Sequence, residues 1–401
     1  MKNDPRPVET SIATSPSLDG LLDWTRAHGG EMARLLAEIC EIESPSTDPP
    51  AVAALAARLA READAVGLTT ELVPVHGGGP ILRAQPPGGA GAARPVMLLG
   101  HLDTVWPVGT VAARPVRIDG DRLYGPGAYD MKAGLVVALF ALRALRARGP
   151  LPPVTVFFTP LEEVDCEPYR ALMEAEMTAS AVVLDFEPAW PGGAVKTSRK
   201  GSGSFTLRAH GRASHAGADL SRGVNAILEL ARQCLEVSRL TDPARGVSAN
   251  VGVIRGGLRS NVVPDLAEAE IDVRFLTTQD GRWLESALHA MRPHDPQVKL
   301  SLSGGLHYPP LERTAAVAAV YAAAKAVAEE LGLPLSEVAS GGASEASFAG
   351  ALGRPTLDGL GGDGDGAHAE DEHVLLPSLP ERAALAAGLI ARLAASPPPP
   401  A

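Results

Sequence analysis

The chain is organised around Val96-Met-Leu-Leu-Gly-His101-Leu-Asp103-Thr104-Val105. An apolar run this short, closed by Gly100, predicts a buried parallel strand rather than a helix. His101 and Asp103 stand at i and i+2, so in an extended segment their side chains share one face at the strand's C-terminal end. Open α/β sheets gather their sites at that edge. A metal-binding imidazole usually has its second ring nitrogen held by a carboxylate, and this pair has the right types. A His beside an Asp is also a common hydrogen-bonded pair with no ligand at all, so the rest of the chain decides.

The pattern recurs twice. Val154-Thr-Val-Phe-Phe158 ends in Thr159-Pro160-Leu161-Glu162-Glu163, and Ala181-Val-Val-Leu184 ends in Asp185-Phe186-Glu187-Pro188. Adjacent acids are commonly solvated charge. At the end of a central strand that reading weakens, because desolvated carboxylates need protons or cations. Between these strands, Gly125-Pro-Gly-Ala-Tyr-Asp130-Met-Lys132 opens a helix over about 131–148. Its glycines permit a turn that sets the Asp130 carboxylate beside the helix start, where it would equally serve as an N-cap. Residues 116–124 read as a hairpin turned at Asp-Gly. A glycine-rich segment, 361–373, carries His368 and His373. Oxygen and imidazole donors without thiolate suit zinc, cobalt or manganese in a catalytic site. Two histidines and three or four carboxylates suffice for two metals ~3.5–4 Å apart, with a spare carboxylate as general base.

At 401 residues the chain predicts two domains. A helix over 21–43, a second over 51–66, a strand at 69–73 and a loop with an edge strand over 77–94 precede the Val96 strand. Strands alternating with helices predict an α/β domain, with a mostly parallel sheet and helices on both faces. The pattern changes at 199. Strands at 205–210, 247–254, 267–275 and 298–302, with helices at 225–239 and 280–291, give the order βαββαβ of a ferredoxin-like insertion. Alternation of the first kind resumes at 309, with helices over 314–331 and 378–395 and a strand at 355–357. Residues 1–198 and 309–401 therefore form a discontinuous catalytic domain and 199–308 an inserted one, with 1–18 and 396–401 expected to be disordered. The net charge of −11, from 36 basic and 47 acidic residues, speaks against nucleic-acid or anionic-membrane partners. Cys40, Cys166 and Cys234 are too far apart for a disulfide framework or a CxxC metal site. With neither a signal-peptide core nor a membrane-spanning run, a cytoplasmic location is expected.

These residues carry a family resemblance. The chain resembles the di-zinc amidohydrolases and exopeptidases that include glutamate carboxypeptidase (carboxypeptidase G), aminoacylase, acetylornithine deacetylase and succinyl-diaminopimelate desuccinylase. The resemblance runs from about residue 30 to 395, through GHLDTV, YGPGAYDMKAG, TPLEE, DFEPA and GAHAEDEHV, with GRASHAG and SNVVP in the insertion. HLDTVWP, FEP and SHAGAD look closest to the glutamate carboxypeptidase branch.

The resemblance implies a role at each position. Asp130 would bridge two zinc ions per subunit, with cobalt or manganese as alternatives. His101 and Glu187 would complete one site and Glu163 and His368 the other. Asp103 would orient His101. Glu162 would be general base for a hydroxide bridging the metals, and then proton donor to the leaving amine. Asp185 and His373 are left without a role, and the peptide bond after Asp130 is expected to be cis. The insertion would serve as dimerisation and lid domain, so a homodimer is expected. His215 would reach into the other subunit's site to polarise the scissile carbonyl. Asn261 and Arg274 would hold the substrate's carboxylate or an adjacent carbonyl, and Gly342 would line the pocket.

The implied reaction is hydrolysis of a peptide or N-acyl amide bond in a small substrate with a free carboxylate. A deacetylase or desuccinylase is the runner-up, and a non-catalytic ligand-binding member the reading from another class. The chain departs from the family around the acidic pair, at Leu161 and at Val164-Asp-Cys-Glu-Pro168, and has Glu345 where an aspartate is usual. Cys166 beside that pair is either an additional ligand or redox position or a packed small hydrophobe.

Overall fold

A computed structural model describes residues 17–89 and 93–400; most of the expected leader and Ala401 lie outside them. A six-stranded sheet runs in the order Thr69–Val73, Ile81–Gln85, Val154–Thr159, Val96–His101, Val182–Asp185, Thr356–Leu357. The last four strands are parallel. Val96–His101 and Val154–Thr159 are buried along their whole length, as strands covered on both faces must be. Alternate residues serve opposite layers. Leu98 and Val156 pack with the helices Pro49–Val66, Ala133–Arg146 and Ser378–Ala395. Met97, Leu99 and Phe157 pack with Met173, Met177 and Phe348 of the helices Arg170–Ala179 and Ala346–Ala351.

Two expectations are corrected here. Ile81–Gln85 is not an edge strand: it pairs antiparallel on both sides, and Thr69–Val73, the more exposed and polar of the two, forms the edge. The single helix expected over 21–43 is two, Leu21–Ala27 and Gly29–Glu41, broken at His28. Gly29 and Gly30 follow the break, and glycine is the weakest helix former after proline.

The second sheet has the order Ser248–Gly256, Leu266–Phe275, Gly201–His210, Lys299–Tyr308, antiparallel throughout. With the helices Ala226–Ser238 and Thr278–His289 it makes the βαββαβ ferredoxin-like arrangement. Ala267, Ala269, Ile271, Val273 and Phe275 are buried in its core, while Glu268, Glu270, Asp272 and Arg274 alternate onto the other face. Two smaller pairings were not legible in the sequence. Val195–Arg199 lies parallel to Glu337–Ser340, and Gly364–Asp365 and His373–Leu375 extend the expected hairpin of Arg117–Asp119 and Arg122–Tyr124.

Gly134 allows the helix Ala133–Arg146 to start against the sheet's C-terminal edge. A Cβ there would lie 1.8 Å from the Phe186 carbonyl oxygen. That contact sets the Asp130 turn beside Glu187.

Candidate metal centre

Three strand ends and two loops converge at this edge. His101, the last residue of its strand, is buried. Its Nε2 lies 3.2 Å from Asp130 Oδ1 and 3.4 Å from Glu187 Oε1. Its Nδ1 lies 3.0 Å from the Asp103 carbonyl oxygen and 3.6 Å from that residue's Oδ1. The Asp103 carboxylate is engaged elsewhere. It accepts the Glu162 and Glu163 N–H groups at 3.1 and 3.2 Å and the Ser46 hydroxyl at 2.6 Å. The hydrogen bond of the imidazole thus goes to the Asp103 main chain, while the Asp103 side chain anchors the turn that carries the acidic pair.

The helix Ala133–Arg146 has no side-chain cap, so Asp130 is not its N-cap. The Asp130 carboxylate instead faces two imidazoles. Its Oδ1 meets His101, and its Oδ2 lies 3.3 Å from His368 Nε2. His368 is itself 3.2 Å from Glu163 Oε2 and adopts a positive φ of 61°. The Asp130–Met131 peptide is cis. Two triads result, His101 with Asp130 and Glu187, and Asp130 with Glu163 and His368. Within each, one ligand atom per residue lies within 4.8 Å of the others. This donor set of imidazole nitrogens and carboxylate oxygens fits divalent zinc, manganese or cobalt, and Asp130 belongs to both halves.

The electrostatics follow from crowding carboxylates in a dry place. Burial, with Glu187, Glu163 and Glu345 nearby, pushes Glu162 well above the usual carboxylate range. Burial also raises Glu163. Burial disfavours a charged His101, yet Asp103, Asp130 and Glu187 together raise it well above its ordinary value. Contacts with Asp130 and Glu163 push His368 up to about 10. Asp130 runs the other way: burial would raise it, but the two imidazoles hold it low.

The site opens into a cavity of about 460 Å³ lined by Glu162, Trp190, Lys196, Arg199 and Gly342 together with all the triad residues except His101. His215, Asn261 and Arg274 do not line it. His215 is exposed on a two-residue strand, and its Nδ1 accepts the Gly217 and Ala218 N–H groups at 3.1 and 3.0 Å. Asn261 is its neighbour, its carbonyl accepting the Ala216 N–H at 3.0 Å. Arg274 is engaged in a two-pronged pair with Asp272 at 2.9 and 3.0 Å. His373 touches none of the carboxylates; its Nδ1 lies 2.9 Å from the Asp371 carbonyl oxygen.

Several residues at the site escape sequence reasoning. Buried Arg199 pairs with Glu187 Oε2 at 2.8 Å and with Asp358, and donates to the Ala343 carbonyl at 3.1 Å. Asp185, which the motifs leave without a role, belongs to this buried group: Ser344 donates to both Asp185 and Asp358. Glu345 accepts the Thr159 and Tyr169 hydroxyls, and burial pushes it up to about 7. Cys166 packs among Leu161, Tyr169 and Met173, and burial raises its thiol to about 12, so it is a packed hydrophobe. The available signal was the run Lys196–Arg199 after the Glu187 motif.

This fold and this site define a metal-dependent hydrolase. The chain belongs to the peptidase family M20/M25/M40, whose model matches residues 97–392. It is 32% identical to carboxypeptidase G2 of Pseudomonas sp. (strain RS-16) over 310 residues, 75% of this chain and 74% of that one. The solved structure of aminopeptidase PepT from Bacillus cereus superposes with a TM-score of 0.74 at 20% identity, covering 91% and 99% of the two chains. That of the YXEP protein of Bacillus subtilis, described as a dinuclear metal-binding peptidase, gives 0.67 at 14% over 92% and 99%. These two show a shared fold.

Proposed function

We propose that this chain is a two-metal exopeptidase of the glutamate carboxypeptidase type, cleaving a peptide or N-acyl amide bond beside a free carboxylate. One observation carries the reading: each Asp130 carboxylate oxygen faces a different imidazole, at 3.2 and 3.3 Å. His101 and Glu187 would hold one cation, Glu163 and His368 the other, with Asp130 shared. Two zinc ions, or cobalt or manganese, would supply Lewis acidity for the scissile carbonyl and a more acidic water. Glu162 ligates in neither triad and lines the cavity beside both. Its raised pKa suits a base that takes a proton from water and returns it to the leaving nitrogen. Asp103 fixes the backbone of Glu162 and Glu163, and Arg199 fixes Glu187.

The inserted domain, residues 199–308, supplies the rest. Because the His215 Nδ1 accepts two N–H groups, a neutral ring carries its proton on Nε2 and can donate it to a carbonyl oxygen. His215, Asn261 and Arg274 serve the site of a second copy. The exposed Ile227, Leu228 and Leu235, beside the edge strand Ser248–Gly256, offer the dimer surface. Cys40 and Cys166, buried as free thiols, fit the reducing cytoplasm.

The test is metal analysis with hydrolysis of a panel of N-acyl and peptidyl amino acids whose C-terminal residue is varied, glutamate first. Release of C-terminal glutamate by a protein holding two metals per chain supports the reading. Turnover of N-acetyl or N-succinyl amino acids alone replaces it with the deacylase, and tight binding without turnover replaces it with a ligand-binding member.

A further inference from the structure

The loop bearing His368 and the turn bearing Asp130 are joined by one carboxylate that the proposed mechanism leaves unused. Glu372 is 2% exposed. Its Oε2 accepts the Gly127 N–H at 2.9 Å and the Trp106 indole N–H at 2.8 Å. Its Oε1 accepts the Tyr129 and Asp130 N–H groups, both at 3.0 Å. Three of the four donors are main-chain amides of the turn that ends in Asp130, 242 residues away in sequence. Together with the indole they form a concave anion cradle of the kind successive amides make around a positively turned glycine, here Gly127 at φ 72°. On the other side, Glu372 closes the segment that begins at His368: its N–H bonds the Ala369 carbonyl, and the Ala369 N–H bonds that of Gly366.

We propose that Glu372 is the positioning residue of the metal centre, setting Asp130 against the His368 loop so that one carboxylate can serve both cations. The inference rests on the two-metal reading of Asp130. A carboxylate that accepts four N–H bonds has no donor of its own and is held rigidly from two directions. Neither Asp130 nor His368 is tied to the sheet by a strand hydrogen bond, and the Asp130 N–H is bound by Glu372 itself. Trp106, which ends the HLDTVW run from His101, links the cradle to the first ligand strand. The three ligand-bearing segments His101–Trp106, Gly127–Asp130 and His368–Glu372 thus meet at one buried group.

Because Asp130 is shared, loss of Glu372 weakens both cation sites together, whereas loss of Glu163 or Glu187 weakens one. The experiment uses the full chain stripped with a chelator and titrated with Zn2+ against a chromophoric competitor, for wild type, Glu372→Gln, Glu163→Gln, Glu187→Gln and Trp106→Phe. Melting of each metal-free protein is recorded in parallel. In Glu372→Gln an amide N–H faces two N–H donors. The expected result is a loss of about 10–100-fold in affinity for both equivalents, the usual scale for a group that orients ligands. Glu163→Gln and Glu187→Gln each lose one equivalent. Trp106→Phe keeps the three main-chain donors, so it folds and shows a smaller loss in the same direction at both equivalents. It decides the matter where Glu372→Gln does not fold. Substitution with Co2+ gives a second readout, since a displaced bridge changes the visible spectrum of both ions. Wild-type affinity for both equivalents in a folded Glu372→Gln overturns the proposal, and so does a loss confined to one. A wild-type chain that takes up only one equivalent of Zn2+ overturns the two-metal reading itself, and this inference with it.

Discussion

Arg199 and Glu187 form a buried ion pair, with Nη2 2.8 Å from Oε2 and both side chains less than a tenth exposed. Glu187 Oε1 is left to face His101, so the guanidinium decides which oxygen points at the metal centre. Arg199 also neutralises Asp358, and Asp185 lies in the same group. Replacing Arg199 by Met strands buried carboxylates, which costs about 3–5 kcal/mol. The denaturant midpoint of Arg199→Met falls accordingly, while Arg199→Lys recovers part of the loss because it keeps the charge without the fork. A Met variant within about 1 kcal/mol of wild type would show that the pair contributes little.

On the proposed mechanism, Glu162 and Asp130 separate proton transfer from metal binding. Glu162→Ala retains both metals, and turnover drops about 10²–10⁴-fold, the usual worth of a positioned base. Asp130→Ala loses metal and activity together. Metal counts by mass spectrometry beside kcat distinguish them. An active Glu162→Ala enzyme would remove the residue from the mechanism, and full metal content in Asp130→Ala would remove the bridge.

How much of this is readable before the fold is best seen residue by residue. His101, Glu162, Glu163 and Glu187 stand out because buried strands leave short apolar runs, and an acid or imidazole at the end of such a run is harder to read as solvated surface. Asp130 and His368 lie on glycine-rich turns, and become assignable through the motifs around them. Arg199, Asp358 and Glu372 stay hidden for a different reason. Arg199 and Asp358 pair across 159 residues and Glu372 reaches the Gly127 amide across 245, and no periodicity encodes such pairs. The edge order fails likewise, since an apolar run such as Ile81–Gln85 does not say which neighbours it will find.

Metal removal has a predictable effect on stability. On the two-metal reading the cations bind the assembled triads and not the unfolded chain, so they would stabilise the fold by mass action, by about 4 kcal/mol at a thousandfold excess over Kd. The chelated protein melts lower than the metal-loaded one, and stoichiometric Zn2+ restores the difference. Equal melting temperatures would show that cations do not engage the folded site.

The buried thiols predict a pH dependence of their own. Burial raises both Cys40 and Cys166 to about 12. At pH 8 their thiolate fraction is about one in ten thousand, so a thiol reagent labels neither in the native protein and labels all three cysteines after unfolding. A folded pKa above the unfolded one means that folding favours the protonated thiol. This stabilisation is complete below the ordinary thiol pKa and is lost as pH rises from there through about 12. Rapid native labelling of Cys40, read by peptide mapping, would contradict the burial argument.

The inserted domain yields the remaining prediction. Leu228 and Leu235 stand two turns apart on one face of the helix Ala226–Ser238, 59% and 63% exposed, beside an edge strand with one free side. In the proposed homodimer, this row of exposed leucines beside an open edge is the surface that a second copy covers. Leu228→Glu combined with Leu235→Glu places like charges against each other across a twofold axis and yields a monomer by light scattering, with metal content intact. Because His215 lies outside its own chain's cavity, its proposed role in the site of a second copy predicts that the monomer also loses an oxyanion donor, and kcat falls about 10²–10³-fold. His215→Ala in the intact dimer shows the same loss. A fully active monomer would return His215 to an ordinary surface position.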